Sequence, residues 1–218
     1  RKINEDVSDV ISSAAGIVTL IIGFQMAFAT ENVIYVALSL IVGGLVGTWW
    51  DIDGKILAIG RFLERRFAKK REIDGGNRFA YAFLNASVLF CVGAMAIVGS
   101  FKAGTEGDFT MLYAKSVLDG FMSIVFGAAM GLGTAFSALS ILIYQGALTL
   151  LSGVVKPWVS TRMIHELTGL GGAFVVMIGI NLLNLRKLKT ANYLPGLIVI
   201  VILVLLDPFI AQIAAKMV

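Results

Sequence analysis

The sequence is short of most residues from which reactive sites and covalent frameworks are built. Its one cysteine, Cys91, lies in an apolar run and excludes a disulfide framework within the chain or a cysteine-cluster metal site. Its one histidine, His165, removes most zinc chemistry. A Walker A lysine loop, a dinucleotide fingerprint and a nucleophile elbow are all missing. No catalytic centre, cofactor or metal site is therefore predicted, and the chain is not expected to be an enzyme. Charge is scarce too, at 15% of 218 residues. The net charge of +4 is concentrated in two connections. It reads as membrane topology, with no call for a nucleic-acid partner. The opening Arg1-Lys2-Ile3-Asn4-Glu5-Asp6 is no cleavable signal peptide.

What the chain has in abundance is apolar surface. Hydrophobic residues make up 58% of it and the mean hydropathy is +0.88. A soluble domain of this length could not hide so much and still clothe itself in polar groups. The apolar residues also come in long runs, several of which approach the ~20 residues that a helix needs to cross a bilayer core. Helices satisfy their own backbone hydrogen bonds inside lipid. A transmembrane barrel would alternate polar and apolar residues, and Leu197–Leu206 does not. The prediction is an all-α, polytopic membrane protein forming a single transmembrane domain over 1–218. Its spans fall near 14–29, 33–50, 80–101, 113–131, 135–154, 166–184 and 193–216.

The connections orient these spans. Residues 51–78 carry Lys55, Arg61, Arg65, Arg66, Lys69, Lys70, Arg71 and Arg78, a basic excess that marks a cytoplasmic loop. Within it, Ile56 to Phe67 has apolar residues at helical spacing opposite Arg and Lys, as in an amphipathic helix on the inner membrane surface. Trp49 and Trp50 mark the interface at the end of the second span. A second basic connection, Arg186-Lys187-Leu188-Lys189, separates the sixth and seventh spans. If both are cytoplasmic, an even number of crossings lies between them. The stretch from Ala114 to Val155 must then be two spans, broken at Gly131-Leu132-Gly133-Thr134. Seven crossings result, with the first residue inside and the last outside.

The chain also echoes itself. Gly16-Ile17-Val18-Thr19-Leu20-Ile21-Ile22-Gly23-Phe24-Gln25 parallels Gly172-Ala173-Phe174-Val175-Val176-Met177-Ile178-Gly179-Ile180-Asn181. Each is followed by a polar turn, an Asn (Asn32, Asn192) and another apolar span. The two copies enter the membrane from opposite sides, as an inverted repeat requires.

Two central segments carry a family resemblance. They are Asn85-Ala86-Ser87-Val88-Leu89-Phe90-Cys91-Val92-Gly93-Ala94-Met95-Ala96-Ile97-Val98-Gly99-Ser100 and Ala114-Lys115-Ser116-Val117-Leu118-Asp119-Gly120, the latter followed by Phe136-Ser137-Ala138 and Tyr144-Gln145-Gly146. They are similar to the signature of the prokaryotic membrane family catalogued as domain of unknown function 554. The resemblance covers essentially the whole chain and implies a multi-pass protein of the prokaryotic cytoplasmic (inner) membrane. It also implies one more Gly-rich apolar segment ahead of Arg1, hence eight spans in the intact protein and both ends outside.

Lys115, Ser116 and Asp119 form the sharpest polar constellation. Ionisable groups at membrane depth are costly and pair with each other or face a polar cavity. On a helix, Lys115 and Asp119 share one face, with the cation at the less favourable, N-terminal position. The alternative is a capping box, Ser116-x-x-Asp119, which would leave both charges at the interface. Asn85, Gln145 and Asn181 are isolated amides in three spans, able to converge on a solute or to bond neighbouring helices. Gly43, Gly47, Gly93, Gly99, Gly127 and Gly131 are assigned to close helix packing, within one chain or at a homo-oligomer seam. Asp207-Pro208 is expected to break the last apolar run, either at a kink around a functional carboxylate or near the outer surface. His165-Glu166 heads the sixth span, where an acid suits a helix N-terminus.

The sequence predicts a bilayer-embedded transporter or channel for an ion or small solute. Lys115, Ser116, Asp119, Asn85, Gln145 and Asn181 line the proposed path. The alternative is a non-transporting scaffold or complex subunit, whose basic loop docks a partner or anionic lipid.

Overall fold

Apolar runs of this length can bury their backbone in lipid only as helices. In the computed structural model every regular element among the described residues is helical. Residues 5–67 and 78–217 are described, with side chains placed over 9–62 and 79–207. Residues 68–77 of the basic loop, and the side chains of Arg65, Arg66 and Arg78, lie outside the described set. The elements are α1 (Glu5–Ala27), α2 (Val33–Trp49), α3 (Ile52–Phe67), α4 (Arg78–Cys91), α5 (Ala94–Glu106), α6 (Thr110–Met130), α7 (Gly133–Leu150), α8 (Ser152–Val155), α9 (Thr161–Leu182) and α10 (Gly196–Met217). Short 3-10 turns occupy Lys156–Trp158 and Thr190–Tyr193.

Five helical stretches among the described residues are long and apolar enough to cross a membrane: Asp9–Ala27, Thr110–Met130, Gly133–Leu150, Thr161–Leu182 and Thr190–Asp207. Two bent pairs raise the number to seven if each is one span, α2 with α3 at 61° and α4 with α5 at 62°. The protein is thus an all-α, multi-span membrane protein. The apolar stretch from Ala114 to Val155 holds two long helices, α6 and α7, parted at Gly131, whose φ of +102° suits a residue without a side chain, and the short α8 at its end.

The run 80–101 is α4 and α5 meeting at a sharp bend, for reasons given below, and is one broken span if the pair crosses together. The last helix runs through Asp207-Pro208 to Met217, in keeping with a last span near 193–216.

Helix packing follows the glycines. α1 and α9 lie antiparallel, and a Cβ added at Gly16 would press on Leu183, at Gly23 on Val176, at Gly172 on the backbone of Ala27, and at Gly179 on Leu20. At Gly23 and Gly172 the nearest atoms are backbone, so the two apolar helices come close to touching backbone to backbone there, while at Gly16 and Gly179 leucine side chains fill the space. α2 and α10 also run antiparallel. Gly43 meets Gly196, and Gly47 meets the carbonyl of Asn192. The interior between these helices holds Tyr35, Leu170, Phe174, Ile178 and Ile200. A second cluster, with Ala15, Ala86, Phe90, Phe126 and Met130, joins α1 to α4 and α6.

Two of the turns are each held by a buried acid from another element. The turn joining α1 to α2 gives its backbone N–H groups at Glu31 and Asn32 to Glu166 Oε1, both at 2.9 Å, while Thr30 Oγ1 donates to Oε2. Glu166 is fully buried. The turn into α10 is clamped by Asp53: its N–H donates to Asn192 Oδ1 at 2.8 Å, and its carboxylate accepts from the backbone of Ala191. Burial pushes the Asp53 carboxyl above its ordinary range, against the smaller opposing effect of the Ala191 bond. A carboxyl raised on folding contributes most when protonated, and that contribution is lost as pH rises through its folded pKa. Asp53→Asn is therefore expected to melt above the parent protein at pH 7 and level with it near pH 4. Thermal unfolding in detergent across that range checks the sign.

Candidate functional site at a broken helix

A helix inside a bilayer breaks only where something else satisfies or tolerates the freed backbone groups. The α4–α5 break at Val92-Gly93 has a local cause. Gly93 adopts φ +157°, a conformation L side chains rarely take, although a Cβ there would meet only Met26 Cε at 3.7 Å. Backbone conformation, and not lack of room, thus demands glycine. No side chain caps the first turn of α5. Val92 presses on Gly171 of α9, so the break lies where α4–α7 meet α1 and α9.

Against this break lies the Lys115–Asp119 pair. Asp119 is the tenth of the 21 residues of α6, at the middle of the helix. Lys115 Nζ bonds Asp119 Oδ2 directly, the Lys side chain 10% exposed and the Asp 25%. The capping-box alternative does not apply. α6 begins at Thr110, whose N–H is bonded by Asp108 Oδ1, and Ser116 Oγ is turned back to the carbonyl of Leu112. The pair therefore lies in mid-helix, on a stretch long and apolar enough to cross a membrane, where each charge is costly without the other. Cys91, the last residue of α4, lies within electrostatic reach of both charges, and Tyr144 of α7 within reach of Cys91. Ser140 and Tyr144 also border a 510 Å³ groove that is otherwise lined by Ile143, Ala147, Leu148, Leu151 and Val155.

The other residues assigned to the path scatter. Asn85 is buried on α4, with Nδ2 facing Met130 Sδ at 4.0 Å. Gln145 Nε2 is buried with no hydrogen-bond partner among the described residues. Asn181 is committed to the loop after α9, accepting from Leu188 N–H at 2.7 Å and donating to its carbonyl at 2.9 Å. Of the glycines read as packing positions, Gly43, Gly47 and Gly99 lie against neighbouring elements. Gly93 and Gly131 serve backbone turns instead, and Gly127 faces open space with nothing within 4 Å.

A second polar network escaped the sequence reading as a unit. Arg162 at the start of α9 bonds Asp207 of α10, which also accepts from the Tyr35 hydroxyl of α2. The guanidinium lies 5.8 Å from the Tyr35 ring centre, and Glu31 approaches it at 3.9 Å while bonding His165 Nδ1 at 2.7 Å. These residues come from four separate segments, so no spacing rule could have joined them. The signal that was legible was Asp207 at the end of an apolar run.

The fold defines a multi-pass helical membrane protein. The chain belongs to the family described as "Protein of unknown function (DUF554)", whose model matches residues 1–205. It is 31% identical over 203 residues to the "Uncharacterized membrane protein YdfK" of Bacillus subtilis (strain 168), covering 91% of this chain and 84% of that protein. It is 23% identical over 198 residues to the "Uncharacterized protein YqgA" of Escherichia coli (strain K12), with the same coverage of each. No solved structure matches it.

Proposed function

We propose that this protein carries an ion or small solute across the inner membrane, along a path built at the α4–α5 break. The observation that carries this reading is the Lys115–Asp119 pair, a buried Lys with a part-buried Asp, set against a discontinuous span. Broken helices that meet charged side chains at mid-depth are a recurrent way to offer a solute both backbone and side-chain partners inside lipid. The sequence echo of α1 and α9 supports it. The two helices pack antiparallel, with Gly16 against Leu183 and Gly172 against Ala27, as two copies of an inverted repeat would, and alternating access commonly uses one. In this reading both basic loops face the cytoplasm and seven spans cross in this chain.

Uptake into liposomes holding the pure protein, over a panel of ions and metabolites, tests the proposal. Flux above empty vesicles is expected for at least one solute. Asp119→Asn is expected to cut it at least about tenfold, the effect of losing one charged hydrogen bond at the site. A panel without flux would sink the transporter reading. The complex-subunit reading draws on a different observation: α6 and α7 turn Phe121, Ile124, Leu142 and Ile143 outward, and no described residue covers Gly120 or Gly127. Stoichiometric recovery of a partner from native membranes would favour it.

A further inference from the structure

Resting on the transporter reading, we infer that the site at the α4–α5 break takes a small zwitterion of the α-amino acid class. Lys115 is a buried residue whose side chain is only 10% exposed, yet among the described residues Asp119 is its one hydrogen-bond partner. An ammonium has three donors, so two are left unused in a place where unmet donors are expensive. Asp119 likewise accepts one bond with a capacity of about four. Its side chain keeps 25% exposure, so the pair is not sealed on the Asp119 side. The two halves of the site therefore ask for opposite things, a carboxylate for Lys115 and an ammonium for Asp119.

The adjoining backbone adds to the anionic half. Gly99 on α5 faces Met111 and Leu112 on antiparallel α6. One turn back along α5 and one turn on along α6, the same register brings Lys115 beside the first turn of α5. That turn has no side-chain cap, so its N–H groups and its dipole favour a carboxylate. A lone inorganic cation would meet Lys115 as a competitor for Asp119, and a lone anion would meet Asp119 as a repulsive neighbour. A zwitterion meets neither, and it enters without changing the net charge of the site.

Charge spacing narrows the class. Lys115 and Asp119 touch, so the ligand's two charges must also be neighbours. In an α-amino acid the nitrogen and the nearer carboxylate oxygen are only about 3 Å apart. Longer ω-amino acids hold their charges too far apart to bridge both groups.

Equilibrium binding of radiolabelled L-alanine to the purified full chain tests this, with glycine, γ-aminobutyrate, propionate, ethylamine, NaCl and KCl as competitors. Saturable binding of about one alanine per chain is expected, displaced by glycine. Propionate, ethylamine and γ-aminobutyrate should compete at least about 100-fold more weakly. Lys115→Gln and Asp119→Asn should each weaken binding at least about tenfold, and the exchanged double variant Lys115→Asp/Asp119→Lys should recover part of it while eluting as the parent does. Three results would each overturn the inference: no saturable alanine or glycine binding, propionate binding as well as alanine, or displacement by Na⁺ or K⁺ with proton release. Ion flux in the liposome assay without alanine binding would leave the transporter reading standing and remove only the zwitterion. Silence in both assays removes both.

Discussion

Gly172→Leu is expected to abolish recovery of monodisperse folded protein, and Gly172→Ala to lower its melting temperature markedly. A Cβ at this position would overlap the backbone nitrogen of Ala27 and lie 2.7 Å from the carbonyl oxygen of Gly23. Overpacking a core generally costs about 1–3 kcal/mol because side chains can shift aside. Here the obstructing atoms are backbone, so relief requires α1 and α9 to separate along their seam. That seam also contains Gly16, Gly23 and Gly179, so its opening would undo the other close contacts between the two helices. We expect a loss above about 3 kcal/mol for leucine, at the upper end of what overpacking produces. Gly127→Ala is the matched control. No described atom lies within 4 Å of its new methyl group, and alanine improves on glycine in a helix by up to about 1 kcal/mol. Thermal unfolding followed by size-exclusion chromatography distinguishes the two. Equal tolerance of both substitutions would show that the α1–α9 seam is not as described.

Glu166→Ala is the second large effect. The carboxylate is fully buried and receives the Thr30 hydroxyl and the backbone N–H groups of Glu31 and Asn32. Removing it strands three donors at the point where α1 turns into α2, with about 1–3 kcal/mol lost for each one that stays buried. Some relief comes because the turn can open toward solvent, so a net loss of about 3–4 kcal/mol is expected. Glu166→Gln keeps one acceptor oxygen but points an amide N–H₂ at remaining donors, and should fall between the parent and alanine. Faster proteolysis within residues 28–32, together with a lower melting temperature, is the combined signature. A Glu166→Ala protein that melts with the parent would mean that the turn does not depend on this capping.

The same turn shows how function and fold are interleaved. Glu166 secures the backbone that carries Glu31, and Glu31 faces both Arg162 and His165. Arg162 in turn reaches Asp207, which ties α10 to Tyr35 of α2. Loosening the capped turn would thus release four segments at one end of the molecule together.

The long apolar runs, the two basic connections and the glycine-marked division at Gly131 were enough to read an all-α, multi-span membrane protein, because hydropathy and loop charge are local properties of the chain. The same apolar signal concealed the break at Gly93. A hydropathy window sums side chains and is blind to φ, so the bend between α4 and α5 left no trace in it. Asn181 illustrates the opposite difficulty: an amide in an apolar run looks available until the fold shows it bonded to Leu188 seven residues on. The pairing of Lys115 with Asp119 was legible because four residues make one helical turn. Their placement beside Cys91 and the uncapped end of α5 was not, nor was the meeting of Arg162, Asp207 and Tyr35. Those contacts depend on which helix faces lie against each other, and that was decided in three dimensions by glycine seams and buried acids joining segments far apart in the chain.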